Sequence, residues 1–233
     1  MEICIFTIKK FMSIQTNLHQ VLTTLPTDTR LVAISKTMTE ETVMQAYNAG
    51  QRLFGENKVQ EIIEKQPHLP KDIEWHFVGH LQRNKVKFIA PFVSMIHAVD
   101  SLRLLKEINK QGERNERIIY CLLQFHIADE STKFGLDMAE AEELLNELNK
   151  EPLPHIRLCG VMGMATFTED HTQVRKEFKQ LRTYFDYLKN TYFKDDDAFK
   201  EISMGMSGDY LIALEEGATI VRIGSTIFGE RNY

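Results

Sequence analysis

Cysteine is scarce and scattered in this sequence. Cys4, Cys121 and Cys159 are odd in number and far apart, and no C-x-x-C pair occurs. That excludes a disulfide framework, a zinc knuckle and a dithiol redox motif, and leaves free thiols that fit a reducing, cytoplasmic setting. No apolar run approaches the ~20 residues that a bilayer span requires, so no membrane partner is expected. The opening MEICIFTIKKFM carries its lysines after a short apolar stretch and has no small-residue cleavage site behind it, unlike a secretory leader. Residues 1–12 read instead as an extension ahead of the fold, with Met12 a candidate start. Basic charge is also in deficit: 28 Lys and Arg face 33 Asp and Glu, for a formal net charge of −5. A protein that grips a phosphate backbone carries the opposite balance, which argues against nucleic acid as a partner. A local positive pocket for one small anion stays compatible with it. Neither a G-x-S-x-G elbow nor an H-E-x-x-H zinc motif is present. His76 and His80, four apart on a strand-like segment, share no helical face. His97 and His126, also on strand-like segments, read as satisfied core groups, and no metal is expected.

What the chain does have is ordinary globular material: 233 residues, 43% of them hydrophobic, enough to bury one large core. From Ser13, apolar Ile14, Leu18, Val21, Leu22 and Leu25 predict an amphipathic helix over 13–25, closed by Pro26. Apolar runs of strand length then alternate with helical segments. The runs are LVAIS (31–35), RLFGEN (52–57), IEWHFVGH (73–80), SMIHAV (94–99), RIIYCLLQFHI (117–127), IRLCGVMGM (156–164), EISMGM (201–206) and TIVRIG (219–224). Between them TEETVMQAYNAG reads as a helix capped by Thr39 and stopped by Gly50, and DSLRLLKEINK opens on an acid and a serine suited to capping. Further helices are expected from about Lys58 to Lys65, around QRNKVKFIA, over DMAEAEELLNELNK, through the 170s and 180s, and over YLIALEEG. The DDD at 195–197 reads as an exposed loop. Eight strands, each followed by helix or a terminal segment, predict an α/β chain with a parallel sheet covered on both faces. Eight such units without a composition break fit a single (β/α)8 TIM barrel spanning 1–233, with an extra N-terminal helix. A doubly wound open sheet has the same periodicity and is the alternative.

In a barrel, functional groups collect at the carboxyl ends of the strands. The first strand ends at Lys36, the second at Glu56 and Asn57, the seventh in SMGMSGD (203–209) and the eighth in RIGS (222–225). A lysine at an apolar rim is partly desolvated, which favours the neutral amine that condenses with a carbonyl; a solvated loop lysine is the plainer reading. Glycines and serines after the last two strands let backbone N–H groups approach an anion, and barrels often bind phosphate there. Together with Lys36 they point to a phosphorylated carbonyl ligand. Arg222 interrupts an otherwise buried run and needs a partner, either a strand-end acid or a group of the ligand. Met162, Met164, Met204 and Met206 read as core or pocket wall.

The stretches LVAISKT (31–37), AGQRLFGENKVQE (49–61), IEWHFVGHLQRNKVK (73–87), IHAVDS (96–101), ESTKFG (130–135), SMGMSGDY (203–210) and VRIGSTIFGER (221–231), in this order, resemble the pyridoxal phosphate homeostasis proteins. The resemblance implies a barrel similar to the amino-terminal domain of alanine racemase, binding pyridoxal 5′-phosphate as a Schiff base (aldimine) on Lys36. It implies that Arg222 faces the pyridine nitrogen and that Asn57 lines the pocket near the ring. Ser203, Ser207, Gly224 and Ser225 would hold the phosphate; Ser225 stands where the family often has threonine and keeps its hydroxyl. Lys133 matches a family lysine and is either a second cofactor contact or a solvated loop residue.

Two activities fit such a site. One is a cofactor-holding protein of vitamin B6 homeostasis, which buffers pyridoxal phosphate or delivers it to dependent apo-enzymes. The other is an amino-acid racemase-like enzyme. Racemisation needs acid–base groups on both faces of the adduct, and in the racemases similar to this barrel one of them comes from a second β-domain. The sequence ends at Tyr233, shortly after its eighth strand, so the expectation is a holding protein rather than an enzyme, compatible with a monomer.

Overall fold

The computed structural model describes residues 13–129 and 134–229. The 1–12 extension and Lys133 lie outside the described residues. Nineteen elements follow the expected alternation, counting two 3-10 turns. The helix α1 (Ile14–Thr24) precedes strand β1 (Arg30–Ile34); α2 (Glu40–Asn48), β2 (Leu53–Glu56), α3 (Val59–Lys65) and β3 (Glu74–Phe77) come next. Then come α4 (Val86–Ile89), β4 (Met95–Val99), α5 (Leu102–Arg114), β5 (Ile119–Phe125), α6 (Met138–Lys150) and β6 (Ile156–Gly163). The series ends with α7 (His171–Thr191), β7 (Glu201–Ser203), α8 (Tyr210–Glu215), β8 (Ile220–Ile223) and α9 (Ser225–Phe228). All eight strands pair in parallel with their neighbours, and β8 pairs back onto β1, closing the barrel. Closure rules out the open doubly wound sheet.

The expected cap on α2 is met by visible chemistry: Thr39 accepts from the Thr42 N–H. On α6, where no cap was singled out, Asp137 closes a capping box with Glu140. Other expectations are corrected. The strands are shorter than the apolar runs, because the run ends become turns at the barrel rims. Ser101 occupies the N-cap of α5, yet its hydroxyl donates to Asp100 instead of capping the helix. In the 195–197 loop, Asp196 is half-buried, pairing with Arg157 at 3.1 Å and accepting from the Ala198 N–H. The basic segment after β3 forms one 3-10 turn, Arg83–Lys85, before the single helical turn of α4.

Two apolar cores result. A large one lies between the barrel and its helices, and a smaller one inside the barrel includes Val32, Met95, Leu122, Cys159, Met162 and Ile220. The period of two along a strand then aims Ile34 and Lys36 into the same interior as Val32, and Arg222 into the same interior as Ile220. The extra helix α1 packs beside α9 and α2, where its Asn17 amide donates to the Ile227 carbonyl at 3.0 Å. It covers the barrel wall that the four-residue α9 is too short to shield. No described helix is long and apolar enough to cross a membrane.

Candidate functional site

At the carboxyl ends of the strands lies a cavity of about 740 Å³ lined by Lys36, Asn57, Ser207, Arg222, Gly224 and Ser225, among others. Six of the seven residues singled out in the sequence therefore meet in one place. The seventh, Ser203, is elsewhere. It is fully buried below the cavity floor, where its oxygen accepts from Arg222 Nη1 at 2.7 Å and lies 2.9 Å from His97 Nδ1. The expected phosphate contact is thus corrected to support of Arg222. Ser203 sits four residues before Ser207, and the intervening turn separates the two hydroxyls.

Lys36 is half-buried, two residues beyond β1. Its turn is fixed from behind. The Ser35 hydroxyl donates to Glu56 Oε1 at 2.7 Å, and Lys65 Nζ donates to both Glu56 Oε1 and the Ser35 carbonyl, each at 2.8 Å. The Thr37 N–H donates to Glu61 Oε2 at 2.6 Å, with Thr37 in the left-handed region at φ 66°. For a β-branched residue that conformation is strained and persists because its surroundings hold it. The Glu56–Lys65 pair was missed in the sequence: the partners are nine apart, on a strand and a helix, and no spacing rule links them.

Arg222 is 4% exposed and donates to two neutral acceptors, the Ser203 hydroxyl and the Gly163 carbonyl at 3.0 Å. Burial lowers its pKa to about 10, against an opposing pull from Asp209, so it is charged at neutral pH. Neither hydrogen-bond partner is the strand-end acid considered above. β8 lies directly beside β1, with Val32 in register with Arg222. Lysine and guanidinium therefore approach the cavity from adjacent strands.

Beside them, just past β7 and β8, is a backbone cradle. The N–H groups of Gly224 and Thr226 converge on the Ser207 oxygen at 3.2 and 3.4 Å. The turn that brings Ser207 there depends on Gly205 at φ 90°, where a Cβ would meet the Ala213 methyl at 2.6 Å. Asn57 completes the wall. Its Oδ1 is buried and has no hydrogen-bond partner among the described residues, an acceptor left for a ligand. A Cβ on Gly79 would stand 2.1 Å from the Asn57 carbonyl, so glycine is what lets β3 pass.

Met164 and Met206 line the cavity while Met162 and Met204 are core, so both readings of the methionines hold at different positions. His80 stacks on Phe134 at the rim, ring centroids 4.2 Å apart. No motif or spacing marks Glu177, a buried carboxylate of α7. It accepts from the Thr166 N–H at 2.6 Å, the Thr166 hydroxyl at 2.7 Å and the Asp129 N–H at 3.3 Å, tying two rim loops together.

Residues 11–232 match the family described as alanine racemase, N-terminal domain. The chain is 40% identical over 205 residues to the pyridoxal phosphate homeostasis protein of Aquifex aeolicus (strain VF5), covering 88% of each chain. It is 36% identical over 212 residues to that of Escherichia coli (strain K12), covering 89% of this chain and 88% of the other. Among solved structures it is similar to PipY of Synechococcus elongatus PCC7942 with PLP bound, at 33% identity and a TM-score of 0.85, over 93% of this chain and all of that one. The alanine racemase of E. faecalis shares the fold alone: 14% identity and a TM-score of 0.69, over 94% of this chain and 58% of that one.

Proposed function

The chain belongs to the alanine racemase N-terminal domain family, among its pyridoxal phosphate homeostasis proteins, and from that premise we propose that it binds pyridoxal 5′-phosphate at the barrel mouth and holds it for intracellular supply. The cofactor supplies an electrophilic aldehyde, a pyridine ring and a phosphate. This structure offers a group suited to each. Lys36, half-buried at an apolar rim, provides the amine that captures the aldehyde carbon. Arg222 presents a charged donor whose other partners are neutral, matched to an unprotonated ring nitrogen. The Ser207 hydroxyl with the Gly224 and Thr226 N–H groups, beside Ser225, receives the phosphate. Asn57 Oδ1, otherwise orphaned, gains a neighbour at the ring edge. The observation that carries the reading is the meeting of Lys36 and Arg222, from paired strands, at one cavity with that cradle.

We read the site as one that holds the cofactor rather than turning over an amino acid. Guanidinium does not surrender its proton, so Arg222 leaves the ring a poor electron sink. The chain also matches homeostasis proteins over 88% of their length. In this reading the destination of the cofactor is dependent apo-enzymes in the cytoplasm. The purified protein should be yellow, lose its colour to hydroxylamine, and stay colourless as Lys36→Ala with its circular dichroism unchanged. An equally yellow Lys36→Ala protein refutes the assignment. Production of D-alanine from L-alanine by the loaded protein would favour the racemase reading instead.

A further inference from the structure

Four buried polar side chains run in line through the barrel interior, from β3, β4, β7 and β8. His76 Nδ1 lies 2.9 Å from His97 Nε2, and His97 Nδ1 lies 2.9 Å from Ser203 Oγ. Ser203 Oγ in turn accepts from Arg222 Nη1 at 2.7 Å. The two imidazoles are 1% and 0% exposed, with ring centroids 5.0 Å apart. β4 and β7 are not neighbours in the sheet, so His97 reaches across the barrel to touch Ser203. Barrel interiors are normally filled by branched apolar residues, and unpaired polar groups there are expensive. Packing alone does not call for such a line.

We propose that His97, backed by His76, is a positioning residue for Arg222: through the Ser203 hydroxyl it fixes the guanidinium that meets the ring nitrogen of bound pyridoxal phosphate. The inference rests on the function proposed above. Its logic lies in which groups can give a hydrogen. Guanidinium only donates, so Ser203 Oγ accepts from it. The serine hydrogen is then directed to His97 Nδ1, and His97 Nε2–H to His76 Nδ1. Every hydrogen points away from Arg222, and each bond strengthens the one before it. Burial keeps both imidazoles neutral, pushing His76 down to about 3 and His97 well below its usual value. The line therefore holds Arg222 through neutral groups and adds no countercharge to the pull of Asp209, so the guanidinium stays a charged donor toward the ligand.

The test compares pyridoxal phosphate, 15N-labelled in the ring, with its 1-deaza analogue, in which C–H replaces that nitrogen. Ser203→Ala and His97→Leu should bind pyridoxal phosphate about tenfold more weakly, the loss expected for stranding one buried donor or acceptor. Both should move the ring 15N resonance, still react through Lys36, and bind the 1-deaza analogue as the wild type does. Ser203→Thr and His97→Asn, which keep the hydroxyl and the Nδ1-position group, should restore affinity and resonance. They also decide the matter should His97→Leu fail to fold. Variants that lose both ligands equally, or lose neither, overturn the inference alone if the wild type binds pyridoxal phosphate through Lys36. A wild type that binds neither compound removes the site reading with it.

Discussion

Replacing Lys65 with methionine should destabilise the protein by about 3–5 kcal/mol at neutral pH, the loss expected when one partner of a buried ion pair is removed. The Lys65 and Glu56 side chains are 9% and 0% exposed and meet at 2.8 Å. Methionine keeps the buried stem but deletes the cation. Glu56 is then left with the Ser35 hydroxyl on Oε1 and nothing on Oε2, which already has no hydrogen-bond partner among the described residues. For a chain of this length ~1 kcal/mol moves Tm by about 2–4 °C, so Tm should fall by roughly 6–20 °C. The pH dependence has a definite sign. In the wild type burial holds the Glu56 carboxyl above its ordinary pKa, against the opposing pull of Lys65 and of hydrogen bonds from Lys65 and Ser35. A group raised in the folded state contributes stability that is complete below its unfolded pKa and is lost as pH rises through the folded value. Removing Lys65 raises Glu56 further. The deficit of the variant should therefore be greatest at neutral pH and shrink as pH falls toward the ordinary glutamate range. Glu56→Gln added to Lys65→Met should recover most of it, because the buried charge is then gone. Urea or thermal melts across that range supply the data. A single variant within about 1 kcal/mol of wild type at neutral pH, or a deficit that grows on acidification, refutes the reasoning.

Gly79→Ala forces a methyl to within 2.1 Å of the Asn57 carbonyl; it should cost about 1–3 kcal/mol in a urea melt and weaken cofactor binding by displacing Asn57. Glu177→Ala strands the Thr166 N–H, whereas the Asp129 N–H keeps the Thr166 hydroxyl as acceptor. Hydrogen exchange at the Thr166 amide should rise by at least tenfold while the strand amides are unchanged, with a stability loss of about 1–3 kcal/mol by denaturant titration. Thr37→Gly relieves a left-handed β-branched residue, and should stabilise the protein by up to ~1 kcal/mol after the entropic cost of glycine, read from the shift in urea midpoint.

The strands were legible because each is an apolar run bounded by turn residues, and Lys36, Asn57 and Ser225 because strand ends in a barrel point to one mouth. Closure was not, since it depends on Arg30–Ala33 pairing with Ile220–Ile223 across almost the whole chain. Ser203 and Ser207 look alike in SMGMSGD, and only the long-range approach of Arg222 and His97 assigns the first to the barrel floor. His97 lies in the core as expected, while His126 is half-buried and just past β5; periodicity could not show that His97 joins His76 in a line ending at Arg222. Ser101 looks like a cap in DSLRLL, but its hydroxyl turns to the neighbouring Asp100 and its oxygen accepts from no helix N–H. Local pattern sets elements and ends; pairings between distant elements set which polar group serves which.

Reducing the cofactor-loaded protein with borohydride and mapping its peptides locates the captured aldehyde directly. The pyridoxyl group should be found on Lys36, in the peptide that follows LVAIS. Its recovery on another lysine with Lys36 unmodified, or its absence from a protein that is yellow before reduction, contradicts the assignment on which the account stands.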